Sequence, residues 1–334
     1  QHGSLANLCY WHNAYYGVTE HDRATQFAGF GFDASVWEIF PYLVKGAALH
    51  IIGDEIGPDP GRLNDYFRRM NITIAFLPTQ LCELFTREEN HTLRALLTGG
   101  DKLHTFVPRS YALYNNYGPT ENTVVTTAGP VDQPPGTGII PIGKPIHNVG
   151  VYIVNPACHF KLQPIGVVGE MCIGGSGLAR GYLNDPELSA EKFCRSDWSD
   201  WSDWSDKSDR SDQCYRTYTP KKLYRTGDYP AGGAYKSNVL YRTGDLARWL
   251  SNGSIEFRGR IDHQVKIRGY RIELGEIENR LLSHGSIKEV AVVEREKEAG
   301  DLYLCAYFAL VEPGDVETGQ LAEYLAEKLP GYMV

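Results

Sequence analysis

Leu63-Asn64-Asp65-Tyr66-Phe67-Arg68-Arg69-Met70-Asn71-Ile72-Thr73-Ile74-Ala75-Phe76-Leu77 changes its period midway. Leu63, Tyr66, Phe67 and Met70 fall on one face of a helix. Ile72–Leu77 then runs as an apolar, β-branched strand, and Ala48-Leu49-His50-Ile51-Ile52 upstream reads the same way. Strands alternating with helices predict an α/β layer around a parallel sheet. Nearer the N-terminus, Ser4-Leu5-Ala6-Asn7 opens a helix, with Ser4 expected to cap exposed backbone N–H groups.

From about Pro130 to Gly259 the texture shifts. Gly and Pro become frequent, and short β-branched segments such as Gly150-Val151-Tyr152-Ile153-Val154 stand between turns. This predicts a β-rich, barrel-like subdomain. After Asp262 come two strand-like stretches, Glu289–Glu294 and Leu302–Leu310, and an amphipathic helix around Leu321–Leu329. The expected organisation is an α/β part over 1–129, the β-rich part over 130–261 and a small α+β part over 262–334. One segment breaks the pattern. Residues 196–213 are six Ser-Asp-X triplets, and Leu223-Tyr224-Arg225-Thr226-Gly227-Asp228 is echoed by Leu240-Tyr241-Arg242-Thr243-Gly244-Asp245. A period of three fits neither a helix nor a half-buried strand, so about 196–238 reads as a repeat insertion in a surface loop. The order of a calcium loop is missing from it.

The composition is that of a soluble globular chain: 334 residues, net charge −8, 42% hydrophobic. Mild acidity without a dense basic cluster argues against nucleic acid as a partner. No apolar run reaches membrane-spanning length, and no stretch resembles a signal peptide. Seven cysteines are scattered with no CxxC pair, which points away from a zinc site or disulfide framework and toward a reducing, cytoplasmic compartment. The sequons at Asn71, Asn90 and Asn252 then read as chance matches.

Several catalytic signatures are missing. Gly174-Gly175-Ser176-Gly177-Leu178 fails the last position of a nucleophile elbow, and Gly175-x-Gly177 lacks the third glycine of a dinucleotide fingerprint. There is no HExxH and no Walker loop. What is present is Asn115-Asn116-Tyr117-Gly118-Pro119-Thr120-Glu121, a turn able to offer an aromatic face to a base, a hydroxyl to a phosphate and a carboxylate to Mg²⁺. Such a turn can also be purely structural. Tyr241–Leu246 sets a carboxylate, Asp245, after a glycine at an expected strand end, where it would suit ribose hydroxyls. Gly259–Glu278 is dense in charge and glycine, and reads either as an exposed strand before a helix bearing Ile277 and Leu281 or as a charged crossover near phosphates.

Taken in order with Phe32-Asp33-Ala34-Ser35, Gly169–Leu183 and the closing Leu329-Pro330-Gly331-Tyr332-Met333-Val334, these segments resemble the adenylation domains of nonribosomal peptide synthetases. That family lies within the acyl-adenylate-forming ligases. The resemblance covers the whole chain except roughly 196–238. It implies an adenylate-forming ligase fold truncated at both ends. It also implies attack of an amino-acid carboxylate on ATP, then transfer of the aminoacyl group to the phosphopantetheine thiol of a carrier domain. A condensation domain would be a further partner in the same assembly line.

By the same resemblance, Tyr117 stacks on adenine, Asn115 and Gly100 meet its edge, and Asp245 and Arg260 hold the ribose. Phe257 stands where many relatives carry a tyrosine near the ribose and lacks that hydroxyl. Thr120 touches phosphate, Glu121 binds Mg²⁺ and Asp262 is the hinge of the small domain. Asp245 is preferred over Asp228 because Leu246-Ala247-Arg248-Trp249-Leu250 continues the family pattern after it. Asp33 pairs with the substrate ammonium, and would reject acids lacking an amine because its charge would remain buried and unpaired.

The family's pocket-lining positions fall on Asp33, Ala34, Trp37, Phe76, Leu97, Gly99, Asn116, Val124 and Val125. Beyond Asp33 only Asn116 is polar, so the physical expectation is a medium aliphatic guest. The resemblance to a leucine-type signature makes it leucine. One methylene is worth only about 1–3 kcal/mol of discrimination, so Ile, Val or Met should leak through. On residue type alone, Leu97 and Val124 read equally as core. The phosphate loop before His-x-Ser-Leu and the lysine beyond the C-terminus fall outside the 334 residues, so this polypeptide alone is expected to be catalytically impaired. Two other readings remain, an acyl- or aryl-acid CoA ligase and a degenerate assembly-line scaffold.

Overall fold

The computed structural model describes residues 1–53, 55–132, 138, 140–156, 161–195, 239–261, 265–267, 270–296, 302–311 and 316–334. The Ser-Asp triplets, the Leu223–Asp228 copy and the Asp262 hinge lie outside these residues. The chain forms two compact units, Gln1–Gly259 and Arg260–Val334.

The first unit opens with α1 (His2–Tyr15), β1 (Arg23–Gln26), α2 (Ala34–Lys45), β2 (Ala48–Ile51), α3 (Pro60–Met70), β3 (Ile74–Pro78), α4 (Thr79–Phe85), β4 (Ala95–Gly99) and β5 (Ala112–Tyr117). Two antiparallel strands follow, β6 (Thr127–Pro130) and β7 (Lys144–Pro145). Together they make a seven-stranded sheet in the order β2-β1-β3-β4-β5-β6-β7, parallel from β2 to β5. Local chemistry sets the helix ends. Asp59 accepts from the Arg62 N–H at 2.8 Å to start α3, and Asn71 closes it at a φ of 50°. The expected Ser4 cap is corrected: α1 begins at His2, and Ser4 is buried inside its first turn. Ser4, Leu8 and Trp11 share the face that packs inward, so Ser4 serves that face.

Strand alternation divides the core in two. Ile74, Phe76, Ala95, Leu97 and Tyr114 turn toward α1 and α2, where Leu8, Trp11, Trp37 and Tyr42 meet them. Ala75, Leu77, Leu96 and Leu113 turn to the other face, against Leu63 and Phe67 of α3 and Leu81, Cys82 and Phe85 of α4. The chain leaves β1 for β2 on one side and returns to β3 on the other. In open α/β sheets, ligands bind outside the carboxyl ends of the strands at such a reversal.

A second sheet is built from β8 (Val149–Val154), β9 (Gly169–Gly175), β10 (Phe193–Arg195) and β11 (Val239–Trp249), with α5 (Pro186–Lys192) before β10 and β12 (Ile255–Arg260) paired to β11. The Ile142 N–H donates to the Ile255 carbonyl at 2.9 Å, and the Ile255 N–H to the Gly143 carbonyl at 2.8 Å, which joins this sheet to the approach of β7. The β-rich part is thus a sheet of its own, tied to the α/β layer by these two hydrogen bonds.

The second unit carries the hairpin β13 (Val265–Ile267) and β14 (Tyr270–Ile272), then α6 (Leu274–Leu282), β15 (Ile287–Glu296), β16 (Leu302–Leu310) and α7 (Thr318–Ala326). Ile277, Leu281, Leu321, Leu325, Leu329 and Met333 share its core. Among the described residues no helix is long and apolar enough to cross a membrane.

Leu77 is fully buried on the α3/α4 face, away from α1 and α2. Leu77→Ala should therefore cost about 2–5 kcal/mol of stability. Urea unfolding checks this, with near-wild-type stability as the contrary result.

Candidate functional site: the carboxyl edge of the parallel sheet

The loop between β1 and α2 is held from beneath by a buried acid. Glu38, 1% exposed, accepts from the Phe27 N–H at 2.9 Å and the Ala28 N–H at 2.7 Å. Burial pushes its carboxyl up to about 8, against the pull of those two N–H groups. Asp33 then sits at the N-cap position of α2, yet its side chain caps nothing. Its Oδ2 accepts instead from Thr120 Oγ1 at 2.6 Å. Two segments far apart in sequence thereby meet at one half-buried carboxylate.

Behind Asp33 the side chains are apolar. Trp37, Phe76, Leu97 and Val125 are buried in one cluster, with Ala34 and Val124 packed against it. The Trp37 and Phe76 rings lie 5.3 Å apart at 63°. Gly99 pairs with Asn116 across β4 and β5, and a Cβ on it would come within 2.5 Å of the Asn116 carbonyl oxygen. Asn116, the polar member, is already engaged. Its Oδ1 accepts a short hydrogen bond from the Tyr16 hydroxyl, and its Nδ2 donates to the Thr98 and Tyr114 carbonyls at 3.1 and 3.3 Å. Trp37 donates from Nε1 to His12 Nδ1 at 2.8 Å. Burial, with the positive charge of Arg94 nearby, lowers His12 to about 3, so this acceptor is a neutral imidazole.

After β5 the chain doubles back tightly. Gly118 lies so close to the Val124 carbonyl that a Cβ would sit 2.2 Å from that oxygen, and the Thr126 N–H donates to the Tyr117 carbonyl at 2.7 Å. A single 3-10 turn over Thr120–Asn122 leads to Thr123 and Val124 at φ values of 55° and 69°. A β-branched residue there is an outlier of the kind that clusters at functional sites. The loop after β9 braces this turn. Thr123 Oγ1 donates to the Gly177 carbonyl at 2.7 Å, the Ala179 N–H to the Glu121 carbonyl at 2.8 Å, and the Tyr182 hydroxyl to Glu121 Oε1 at 2.6 Å.

On the opposite face of β5, Tyr117 donates a short hydrogen bond to Asp245, and its ring lies 6.2 Å from that of Phe257. Asp245 is not at a strand end as expected. It lies inside β11, at a register irregularity between Arg242 and Leu246, which lets the strand continue past it. Asn115 donates from Nδ2 to the Pro141 carbonyl at 3.0 Å, while its buried Oδ1 has no partner among the described residues. Gly100 follows β4 at a φ of 95°, and Arg260 closes β12.

A family model described as AMP-binding enzyme matches residues 1–183. The chain belongs to the AMP-binding enzyme family. Over its whole length it is 46% identical to part of bacitracin synthase 1 of Bacillus licheniformis and 43% identical to part of surfactin synthase subunit 2 of Bacillus subtilis. It spans only 6% and 8% of those proteins. It also superposes over its full length on an artificially fused adenylation–PCP di-domain nonribosomal peptide synthetase from Klebsiella oxytoca, at a TM-score of 0.73 and 26% identity, covering 56% of that chain. A four-domain nonribosomal peptide synthetase bound to AMP and glycine matches 99% of the chain at a TM-score of 0.60 and 28% identity, the chain covering 22% of it. The fold is that of the adenylate-forming ligases, as the sequence predicted, and the likeness to nonribosomal peptide synthetase adenylation domains holds in both sequence and structure.

Within this AMP-binding chain, β3, β4 and β5 sort the expected site residues by parity. Phe76, Leu97, Gly99 and Asn116 share the face toward α1 and α2, whereas Asn115 and Tyr117 alternate to the other. His12, Tyr16, Glu38 and Tyr182 are the contacts the sequence reading passed over. A usable signal existed for three of them. His12 and Tyr16 are four residues apart on one helix face, and Glu38 is a lone charge in the run Trp37-Glu38-Ile39-Phe40.

The raised carboxyl of Glu38 sets a pH window. Its folded value of about 8 exceeds the ordinary 4.5, so folding favours the protonated form. That contribution is full below about 4.5 and is lost as pH rises toward 8. The stability of the wild-type chain relative to Glu38→Gln should therefore fall steadily from pH 5 to pH 8, read by urea unfolding at several pH values. A flat difference would contradict the assignment.

Proposed function

We propose that this segment activates a free aliphatic α-amino acid, leucine foremost, as its adenylate. The aminoacyl group then passes to the phosphopantetheine thiol of a peptidyl carrier domain, beside a condensation domain of the same assembly line. The observation that carries this reading is the Thr120–Asp33 hydrogen bond. It brings a carboxylate able to hold an ammonium to 2.6 Å from a hydroxyl that suits a phosphate. An amino acid whose ammonium sits on Asp33 has its own carboxylate only two bonds away, and so next to that hydroxyl. A carboxylate oxygen then attacks the α-phosphorus of ATP, the bond to the bridging oxygen breaks, and pyrophosphate leaves. In the second step the carrier thiol, giving up its proton, attacks the acyl carbon and AMP departs.

Tyr117 offers aromatic surface to adenine, with Phe257 beside it toward the ribose, the orphaned Asn115 Oδ1 suits the adenine amino group, and Gly100 leaves room at its edge. Asp245 and Arg260 take the ribose, and Thr120 the phosphate. Mg²⁺ asks the protein for one or two carboxylates and takes its other ligands from phosphate and water, a demand Glu121 meets. When bound it neutralises phosphate charge. Tyr182 keeps the Glu121 carboxylate oriented. Asp262 remains in this proposal as the point where the small unit turns between half-reactions. Leucine is favoured because Asn116 spends its hydrogen bonds on Tyr16 and the backbone, leaving apolar surface from Ala34, Trp37, Phe76, Leu97, Val124 and Val125 around Gly99. Cys9, Cys82, Cys172, Cys194 and Cys305 are free thiols, in keeping with a cytoplasmic setting.

The test is amino-acid-dependent ATP–pyrophosphate exchange across all twenty substrates, in a complete adenylation domain carrying this sequence. Leucine should dominate, with weaker Ile, Val and Met. Asp33→Ala should lower kcat/KM for leucine by about 10- to 100-fold, the scale of losing a hydrogen bond to a charged group. Exchange driven by fatty or aryl acids, or undiminished in Asp33→Ala, would overturn the proposal.

A further inference from the structure

Two of the expected substrate-pocket walls are held from one helix that contributes no wall of its own. His12 and Tyr16 stand one turn apart at the end of α1, and each makes a single side-chain bond forward. His12 Nδ1 accepts from the Trp37 indole N–H at 2.8 Å, and the Tyr16 hydroxyl donates to Asn116 Oδ1. The end of α1 is itself anchored, because Arg94 donates to the Tyr16 carbonyl at 2.7 Å and pairs with the buried Asp22 at 2.8 Å. His12 is fully buried among aromatic rings. The rings of Tyr16, Tyr42 and Trp37 lie 4.8, 5.0 and 5.8 Å from its own.

Trp37 brings the largest side chain to the pocket, so its tilt sets the length of guest that fits. An indole in an apolar cluster has a single donor, and leaving that donor buried and unpaired is costly enough to favour reorientation. The neutral His12 ring supplies the required lone pair at Nδ1 and carries its proton on Nε2, which has no hydrogen-bond partner among the described residues, so the Trp37 bond is the one polar contact of the ring there. A cation could not, since both of its ring nitrogens donate.

We propose that His12 is a specificity-determining positioning residue, its Nδ1 lone pair fixing the Trp37 indole in the tilt that admits a leucine-sized side chain and excludes an aromatic one. The inference rests on the amino-acid-activation reading above. His12 itself touches no substrate. Loss of its acceptor frees Trp37 to turn, which opens the slot to longer guests and leaves the chemical step intact.

The experiment compares His12→Phe, which keeps a ring without an acceptor, and His12→Asn, which places an amide oxygen where Nδ1 stands. Each is made in a complete adenylation domain carrying this sequence, with Trp37→Phe as background. His12→Phe should lower the leucine-over-phenylalanine ratio of kcat/KM by about tenfold, chiefly through KM, the scale of one unsatisfied buried donor. His12→Asn should stay within about threefold of wild type. In the Trp37→Phe background the substitution His12→Phe should change the ratio no further. A second reading is the Trp37 indole N–H resonance in ¹⁵N-labelled protein, assigned by its loss in Trp37→Phe. It should move upfield in His12→Phe and hold its place in His12→Asn. An unchanged ratio in a folded, leucine-activating His12→Phe, or equal loss in His12→Asn, overturns the inference alone. Exchange with none of the twenty amino acids by the wild-type domain overturns the activation reading and the inference with it. A His12→Phe domain that does not fold leaves the decision to His12→Asn and to the Trp37→Phe background, where loss of the ratio in Asn likewise overturns it.

Discussion

Side chains on a pleated strand alternate between faces, and this one constraint organises the molecule. Along β5 it sends Asn116 toward α1 and α2 while Asn115 and Tyr117 go the other way. A shift of one residue in the β4–β5 register would exchange those roles and bring a side chain to the place where Gly99 lies against the Asn116 carbonyl. The tight contact at Gly99 therefore guards the register as well as the space in front of it.

The turn after Tyr117 depends on that register in turn. It begins where β5 leaves the sheet, closes on itself at Gly118 and Val124, and presents Thr120 to Asp33. Neither partner of that bond is placed by its own neighbours alone. Asp33 occupies a helix-capping position without capping: its backbone is already helical, at φ −63° and ψ −27°, and its Oδ2 is taken by the Thr120 hydroxyl. The loop after β9 then braces the turn from the far side through Thr123, Glu121 and Tyr182. Backbone strain at Thr123 and Val124 is sustained by these surrounding contacts.

Much of the α/β layer was legible because its signals are local. The spacing of Leu63, Tyr66, Phe67 and Met70 specifies a helix whose buried face is visible in the letters, and Ile74–Leu77, the apolar part of the strand Ile74–Pro78, has no polar face to hide. The same holds for Ile277 and Leu281 in the small unit. Local residue type misleads where a residue serves a distant partner. Ser4 has the chemistry of a cap, yet packing against the sheet carries the helix past it. Asp245 follows a Thr-Gly pair that suggests a strand end, and pairing with β9 carries β11 onward.

The order of motifs, the apolar character of the positions around Trp37 and Phe76, and the family were determined by the sequence by itself, because each is written in residue types at short or fixed spacing. Tertiary structure alone decided what each polar group in that cluster does. Asn116 could have faced a guest, but the Tyr16 hydroxyl, a hundred residues earlier, takes its oxygen. His12 reads as an ordinary helix residue until Trp37 is seen bonded to it. Hydrogen bonds across such separations depend on which strands and helices lie side by side, and burial makes an unpaired donor costly enough that the choice is enforced.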